Sequence, residues 1–265
     1  MSKGGTPKIW NLEHQLIGRS TWYFDEVEST SNFALTFASD ERNNGIAIFA
    51  DEQKAGRGQY GRVWTAAKGQ AVLLSVLLFP PPFLNRPALL TAWVAVAVCT
   101  TIENFLGIRA AIKWPNDILV DRKKISGILI EQTKGTVVGI GLNVLQASHE
   151  FAIEGLPLAT SMQQFSPHPL NTHEVAKQLL ANLDEDYQLL LLGLKQKLER
   201  DWVRGIGLLG KEVQLEEQGK KHRGRLLKQS FESLEIETSL GIKLSFVPEN
   251  IRHLEELINY AEGQP

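Results

Sequence analysis

Four short stretches of this 265-residue chain carry residue types and spacings that could handle anions. Gly56–Trp64 reads GRGQYGRVW. Gly56, Gly58 and Gly61 free the backbone, and Arg57 and Arg62 bring guanidinium groups that bind phosphate or carboxylate bidentately. Trp64 adds a flat face for a base or ring. By itself the stretch is either a clamp over an anionic ligand or an exposed basic turn. Lys113–Asp117 reads KWPND, a strand end with a lysine and then a turn presenting an amide and a carboxylate; plain Asx-type turn residues read the same way. Lys123-Lys124-Ile125-Ser126-Gly127 opens the next strand. Its lysines could be a solvated hairpin tip, while Gly127 would let a ligand come close. Gly139-Ile140-Gly141-Leu142-Asn143 ends a buried apolar strand with two glycines and an amide, an odd choice for packing alone.

Other patterns fail their physical tests. GRGQYG fits GxGxxG, but a loop and a strand follow it rather than the helix whose N-terminus would face a pyrophosphate. Gly205–Glu212, GIGLLGKE, nearly fits a phosphate loop, yet it ends in Glu212, which has no hydroxyl for magnesium and repels phosphate. The six histidines form no ligand set: His168 and His173 are the closest pair, with no cysteine near them, and His222 lies in a basic turn. A GxSxG elbow is absent.

The elements expected to position these stretches come next. WYFDEV (22–27) and GIAIFADE (45–52) read as strands, with Ser29 and Thr30 as cap residues of a helix through NFALTFAS. QAVLLSVLLF (70–79) is a buried strand ended by Pro80, Pro81 and Pro82. A core helix fills about 87–106. AAIKW, DILVD, KISGILIEQ and TVVGIGLNV follow at hairpin spacing. The stretch 148–170 reads as a long loop or lid. Residues 172–202 carry helical spacing, capped by Asn171 with Glu174 three residues on. After Trp202 the composition turns glycine-punctuated and β-rich, the pattern of a small barrel or sandwich. The division falls near residue 205, giving 1–204 and 205–265.

Composition bounds the rest. With 43% hydrophobic residues the chain can build a sizeable core, and a net charge of −2 leaves no overall basic footprint for nucleic acid. The single cysteine, Cys99, forbids an internal disulfide and reads as a buried spectator in a reducing compartment. No secretory signal is read at the N-terminus, and the apolar segment 89–106 is interrupted by Glu103 and Asn104. A cytoplasmic protein with no membrane association is expected.

Together GRGQYGRVW, KWPND, KKISGILIE and VVGIGLNV resemble the biotin protein ligase family (biotin–[acetyl-CoA-carboxylase] ligases), in that family's motif order over roughly residues 20–250. The resemblance implies an α+β fold. Its catalytic domain would have a mixed sheet and flanking helices and be related to class II aminoacyl-tRNA synthetases, followed by a small all-β SH3-like C-terminal domain. It implies biotin and MgATP as substrates, biotinyl-5′-AMP as intermediate, and a biotin carboxyl carrier protein domain as partner. Carried over by position, Ser29, Thr30 and Ser31 would meet the biotin ureido ring, and Gln53 would hydrogen-bond biotin. Arg57, Gly58 and Gln59 would cover the acyl and phosphate region, and Gly127 would lie against biotin. Arg62 would reach ATP phosphates and Trp64 the adenine side. Lys124 would touch both the biotin carboxylate and the α-phosphate. Lys113, Asn116, Asp117 and Asn143 would serve ATP and magnesium, with Asp117 as the metal-holding residue. Lys124, Arg57 and Arg62 would carry catalysis. Gln59 departs from the commoner GRGRxGR form. The roughly twenty residues before the first core strand are too few for a DNA-binding domain, so a ligase-only form that does not bind DNA is expected, with a homodimer left open. The rival within the same fold is a lipoate- or octanoate-type ligase; outside enzymology it is a binding module that has lost activity.

Overall fold

The computed structural model describes residues 6–257. Its main body is an eight-stranded sheet. In chain order the strands are β1 (Lys8–Asn11), β2 (Ser20–Phe24), β3 (Ala47–Ala50), β4 (Ala71–Leu78), β5 (Ala111–Lys113), β6 (Asp117–Val120), β7 (Lys123–Gln132) and β8 (Thr136–Asn143). They lie side by side as β1-β2-β3-β4-β8-β7-β6-β5. The β2–β3 pair is parallel, joined by a crossover containing the short helix α1 (Thr30–Leu35); the other pairs are antiparallel. The sheet is therefore mixed, with helices on both faces.

The apolar run of β4 is explained by burial on both faces. Val72, Leu74, Val76 and Leu78 face the main core, with α2 (Pro87–Leu106) and α4 (Thr172–Leu191). Leu77 joins Ile48, Ala50 and Val137 in a smaller cluster on the α1 side. α2 starts with proline in its first turn, where a missing N–H costs nothing, and ends at Gly107 with φ 66°. Its length would span a bilayer, but most of it is buried inside the molecule. Trp93 is fully buried, packs with its ring centroid 5.1 Å from that of Tyr187 at a 48° tilt, and donates its indole N–H to the Leu183 carbonyl at 3.2 Å. The Cys99 thiol is pushed up to about 12 by burial, which keeps it unreactive.

Three sequence expectations need correction. The helical stretch 172–202 is two helices, α4 and a later one at Gln196–Ile206, α5 once the short helix α3 (Ser148–Ile153) is counted. Gly193 takes φ 74°, and the N–H groups of Gly193 and Leu194 close onto the Leu190 and Leu189 carbonyls, a Schellman stop that periodicity does not register. The stretch 148–170 is not one loop: it holds α3 and a 3-10 turn at Met162–Phe165. An edge strand, β1, precedes the first strand read from the sequence, and Trp10 packs 5.3–5.4 Å from Phe49 and Tyr23.

The C-terminal part is a five-stranded antiparallel sheet: β9 (Glu212–Glu217), β10 (Lys220–Gln229), β11 (Leu234–Glu237), β12 (Lys243–Phe246) and β13 (Ile251–Glu256), ordered β12-β11-β10-β9-β13. Tilted aromatic contacts join it to the main body. Trp202 of α5 lies 5.8 Å from Trp114 and 5.2 Å from Phe231, and Trp114 donates to the Ile251 carbonyl at 2.9 Å. Arg86, at the start of α2, pairs with Glu232 and Glu249 at 2.8 and 2.9 Å.

Candidate functional site

A cleft on the α1 face of the sheet has a floor made by missing side chains. The register aligns Gly141 of β8 with Gly127 of β7 and with Leu73 of β4, and aligns Gly139 with Ser75. Trp64 covers this floor: a Cβ at Gly141 would come within 2.3 Å of its ring, and one at Gly127 within 3.0 Å. Close approach of another group is the reason these positions are glycine. The ring separates the cleft into two chambers that share Gly58, Gln59, Trp64, Asn116 and Lys124.

The first chamber ends in a cluster of hydroxyl and amide groups. α1 begins here because Ser29 caps it, accepting from the Asn32 N–H at 3.3 Å. The first turn then presents Thr30 and Ser31 to the chamber. Gln53 Oε1 accepts from the Thr30 N–H at 2.8 Å and from its hydroxyl at 3.0 Å. Thr30 and Ser31 lie 2.8 and 3.0 Å from Ser75 Oγ on β4.

Lys124 stands where the chambers meet. Residues 124 and 127 of a regular strand would point to opposite faces. The pairing shifts between Ile118/Ser126 and Leu119/Lys124, so Ile125 is an extra residue and Lys124 is turned toward Gly127. Its Nζ would be 3.3 Å from a Cβ at Gly127, lies 5.9 Å from the Trp64 ring and pairs with Asp117 Oδ1 at 2.6 Å. The Lys124 N–H donates to the Leu158 carbonyl at 2.7 Å and its carbonyl accepts from Thr160 at 2.9 Å, which ties the strand to the segment after α3. Asn116 is held by its side-chain bond to the Ile128 carbonyl at 2.8 Å.

The second chamber is lined by Arg62, Asp117, Asn143 and the apolar Phe151 and Leu156. Arg62 is exposed, while Asn143 is buried and fixed by Thr160 and Gln146 at 3.0 and 3.2 Å. Asp117 is the one acidic side chain lining this chamber among the described residues.

The glycine-rich loop over the cleft is a small hairpin. Gly58 N–H donates to the Arg62 carbonyl at 2.8 Å, and Trp64 N–H to the Gly56 carbonyl at 3.1 Å. A Cβ at Gly56 would sit 2.2 Å from the Trp64 carbonyl oxygen, so only glycine closes this hairpin. At its tip Tyr60 has φ 56°, and its ring is 5.4 Å from the Arg252 guanidinium on β13. Arg57 pairs with Glu131 and donates to Asn32 Oδ1 at 2.6 Å, pinning the loop across the mouth of the first chamber.

The cleft thus has one chamber with a polar end, a cationic junction at Lys124 and a second chamber lined by Arg62 and Asn143. The Biotin/lipoate A/B protein ligase family model matches residues 23–146. A Biotin--[acetyl-CoA-carboxylase] ligase of Mycobacterium tuberculosis is 31% identical over 66% of this chain and 68% of its own length. The chain belongs to the biotin protein ligase family. The Bifunctional ligase/repressor BirA of Bacillus spizizenii is 35% identical over 68% of this chain, which spans 57% of that relative's length. The fold agrees: the biotin protein ligase from Aquifex aeolicus in complex with biotin and ATP superposes with TM-score 0.73 at 26% identity, covering 89% of this chain and 99% of that one.

Against the family-based expectations, the structure gathers Thr30, Ser31, Gln53, Arg57, Gly58, Gln59, Lys124 and Gly127 around the first chamber, and Arg62, Trp64, Asn116, Asp117 and Asn143 around the second. Two residues stand apart. Ser29 is buried as the α1 cap and lines neither chamber. Lys113 is exposed on β5, at the sheet edge opposite Asp117, and also lines neither. The family reading of the sequence missed Ser75, Glu131, Asn32 and Arg252. Ser75 carried a legible signal, as the lone polar residue in AVLLSVLL. The other three are brought in by long-range contacts that no local pattern encodes.

Proposed function

We propose that this chain activates biotin with ATP, forming biotinyl-5′-AMP and pyrophosphate, and then transfers the biotinyl group to a lysine of a biotin carboxyl carrier protein domain. The observation that carries this reading is Lys124 at the junction of a chamber with a polar end and a second chamber with Arg62 and Asn143. A biotin in the first chamber would place its ring system against Thr30, Ser31 and Gln53 and its carboxylate beside Lys124. ATP in the second chamber would bring its α-phosphate to the same ammonium. Attack of a carboxylate on a phosphate crowds negative charge, so Lys124, Arg57 and Arg62 act by neutralisation and positioning. The P–O bond to pyrophosphate breaks as the acyl-phosphate bond forms; the carrier lysine then attacks the acyl carbon and AMP leaves. Asp117 fits a magnesium ion that arrives with ATP, because such ions take one or two carboxylates and complete their shell with phosphate oxygens and water. The ion would supply further charge neutralisation. We assign this chemistry to 1–204, with 205–265 as a separate unit that steadies the loop through Tyr60, in a cytoplasmic setting.

The family model also covers lipoate ligases. The polar end speaks against a lipoyl or octanoyl substrate: neither bears an N–H or O–H donor at its far end, and their disulfide or hydrocarbon ends would leave the buried hydroxyls and amide poorly matched. Calorimetric titration of the full chain with biotin, lipoate and octanoate tests the assignment. Saturable binding of biotin alone is expected; tighter binding of lipoate or octanoate contradicts it.

A further inference from the structure

Ser75 is fully buried in the middle of β4 and touches the side chains at the polar end of the first chamber. Counting protons fixes the direction of every bond around it. The Thr30 backbone N–H can only donate, so the atom it meets is the oxygen of Gln53, and the Gln53 nitrogen points elsewhere. The Thr30 hydroxyl donates to that same oxygen, which uses its only proton. The 2.8 Å contact between Thr30 and Ser75 must then use the proton of Ser75. With that proton spent, the 3.0 Å contact between Ser31 and Ser75 must use the proton of Ser31.

We propose that Ser75 is a positioning residue that makes the polar end of the chamber one-directional. Through it, Thr30 and Ser31 turn only lone pairs toward a ligand, while Gln53 Nε2 offers N–H donors. This deepens the biotin reading and rests on it. The head group the chamber takes must bring N–H donors to the hydroxyls and an acceptor to the amide, which a cyclic urea does. A cyclic carbamate, with one ring N–H replaced by oxygen, would set lone pair against lone pair.

The test titrates the full chain with biotin and with the two cyclic carbamate analogues of biotin, for wild type and Ser75→Ala. Removing the Ser75 hydroxyl frees the Ser31 proton to donate. Ser75→Ala is expected to bind biotin roughly tenfold more weakly and to narrow the biotin-to-carbamate affinity ratio by a similar factor. Biotin-dependent ATP–pyrophosphate exchange should show the change in KM, with kcat within about twofold of wild type. If Ser75→Ala does not fold, Ser75→Cys, a weak donor, gives the same reading in smaller degree. Equal losses for biotin and carbamates, with the ratio unchanged, would make Ser75 a packing residue and overturn the proposal, as would a variant identical to wild type. A wild-type chain that binds no biotin would overturn the biotin reading and this assignment with it.

Discussion

The ring of Trp64 occupies the space that a side chain at position 141 would need: a Cβ on Gly141 would lie 2.3 Å from Cε2 and 2.6 Å from Cζ2. The aromatic residue of the loop and the glycine of β8, 77 positions apart in the chain, are thus one device that divides the cleft. Gly141→Ala is expected to dislodge Trp64 and to weaken ATP and biotin together. Overpacking of this kind costs about 1–3 kcal/mol, read as a lower unfolding temperature and as roughly tenfold or greater losses in affinity by calorimetry. Unchanged affinities would mean that Trp64 does not divide the cleft when ligands are bound.

Lys124→Ala should nearly abolish adenylate formation. A charged group aimed at developing negative charge in a closed site supplies on the order of 2–4 kcal/mol of barrier lowering, and the substitution also leaves Asp117 without its 2.6 Å partner. Single-turnover formation of biotinyl-5′-AMP is the measurement. A rate within about tenfold of wild type would remove Lys124 from the mechanism.

Tyr60 and Arg252 connect the loop to the second sheet at one point. An exposed cation–π contact is worth about 0.5–1 kcal/mol, so Arg252→Ala and Tyr60→Ala should each raise the biotin KM by only about two- to fivefold. Both should speed tryptic cleavage after Arg57 and Arg62. The double variant should be no worse than either single one. Strictly additive losses would show that the two residues act independently.

Much of this architecture was readable in advance because it rests on local rules. The buried run of β4, the proline-started helix α2 and the hairpins through β8 follow from periodicity and turn residues, and the observed spans of α2 (Pro87–Leu106) and β4 (Ala71–Leu78) fall where the pattern put them. In the sequence Gly127 reads as a place for close approach and Gly139 and Gly141 as odd for packing alone, and all three line the first chamber. What the sequence hid is set by register and long-range contact. The bulge at Ile125 decides that Lys124 and Gly127 share a face, and a two-residue repeat predicts the reverse. The Schellman stop at Gly193 splits a stretch whose apolar spacing continues unbroken. Lys113 looked like part of KWPND chemistry, but β5 is an edge strand, and its position there follows from the strand order of the whole sheet.

Asp186 on α4 gives a pH dependence remote from the cleft. Burial raises its carboxyl to about 6, with Lys197 pulling down and Glu185 and Asp201 adding to the rise. The folded protein therefore holds this proton more tightly than the unfolded chain. The destabilisation is absent below pH about 4, grows through pH 4–6 and is complete above that. Asp186→Asn should stabilise the protein at pH 8, by on the order of 1 kcal/mol after solvent screening, and leave it unchanged at pH 3.5. Thermal melts at the two pH values check this; an equal shift at both would rule out ionisation as the cause.

The central claim is that the two chambers join a biotin carboxylate to an ATP α-phosphate. Exchange of labelled pyrophosphate into ATP measures that step alone, without a carrier protein. The account predicts exchange that depends on biotin, saturates with it, is lost in Lys124→Ala and is not supported by lipoate or octanoate. Exchange driven by lipoate or octanoate, or no exchange with biotin by a folded protein in the presence of magnesium, would contradict it.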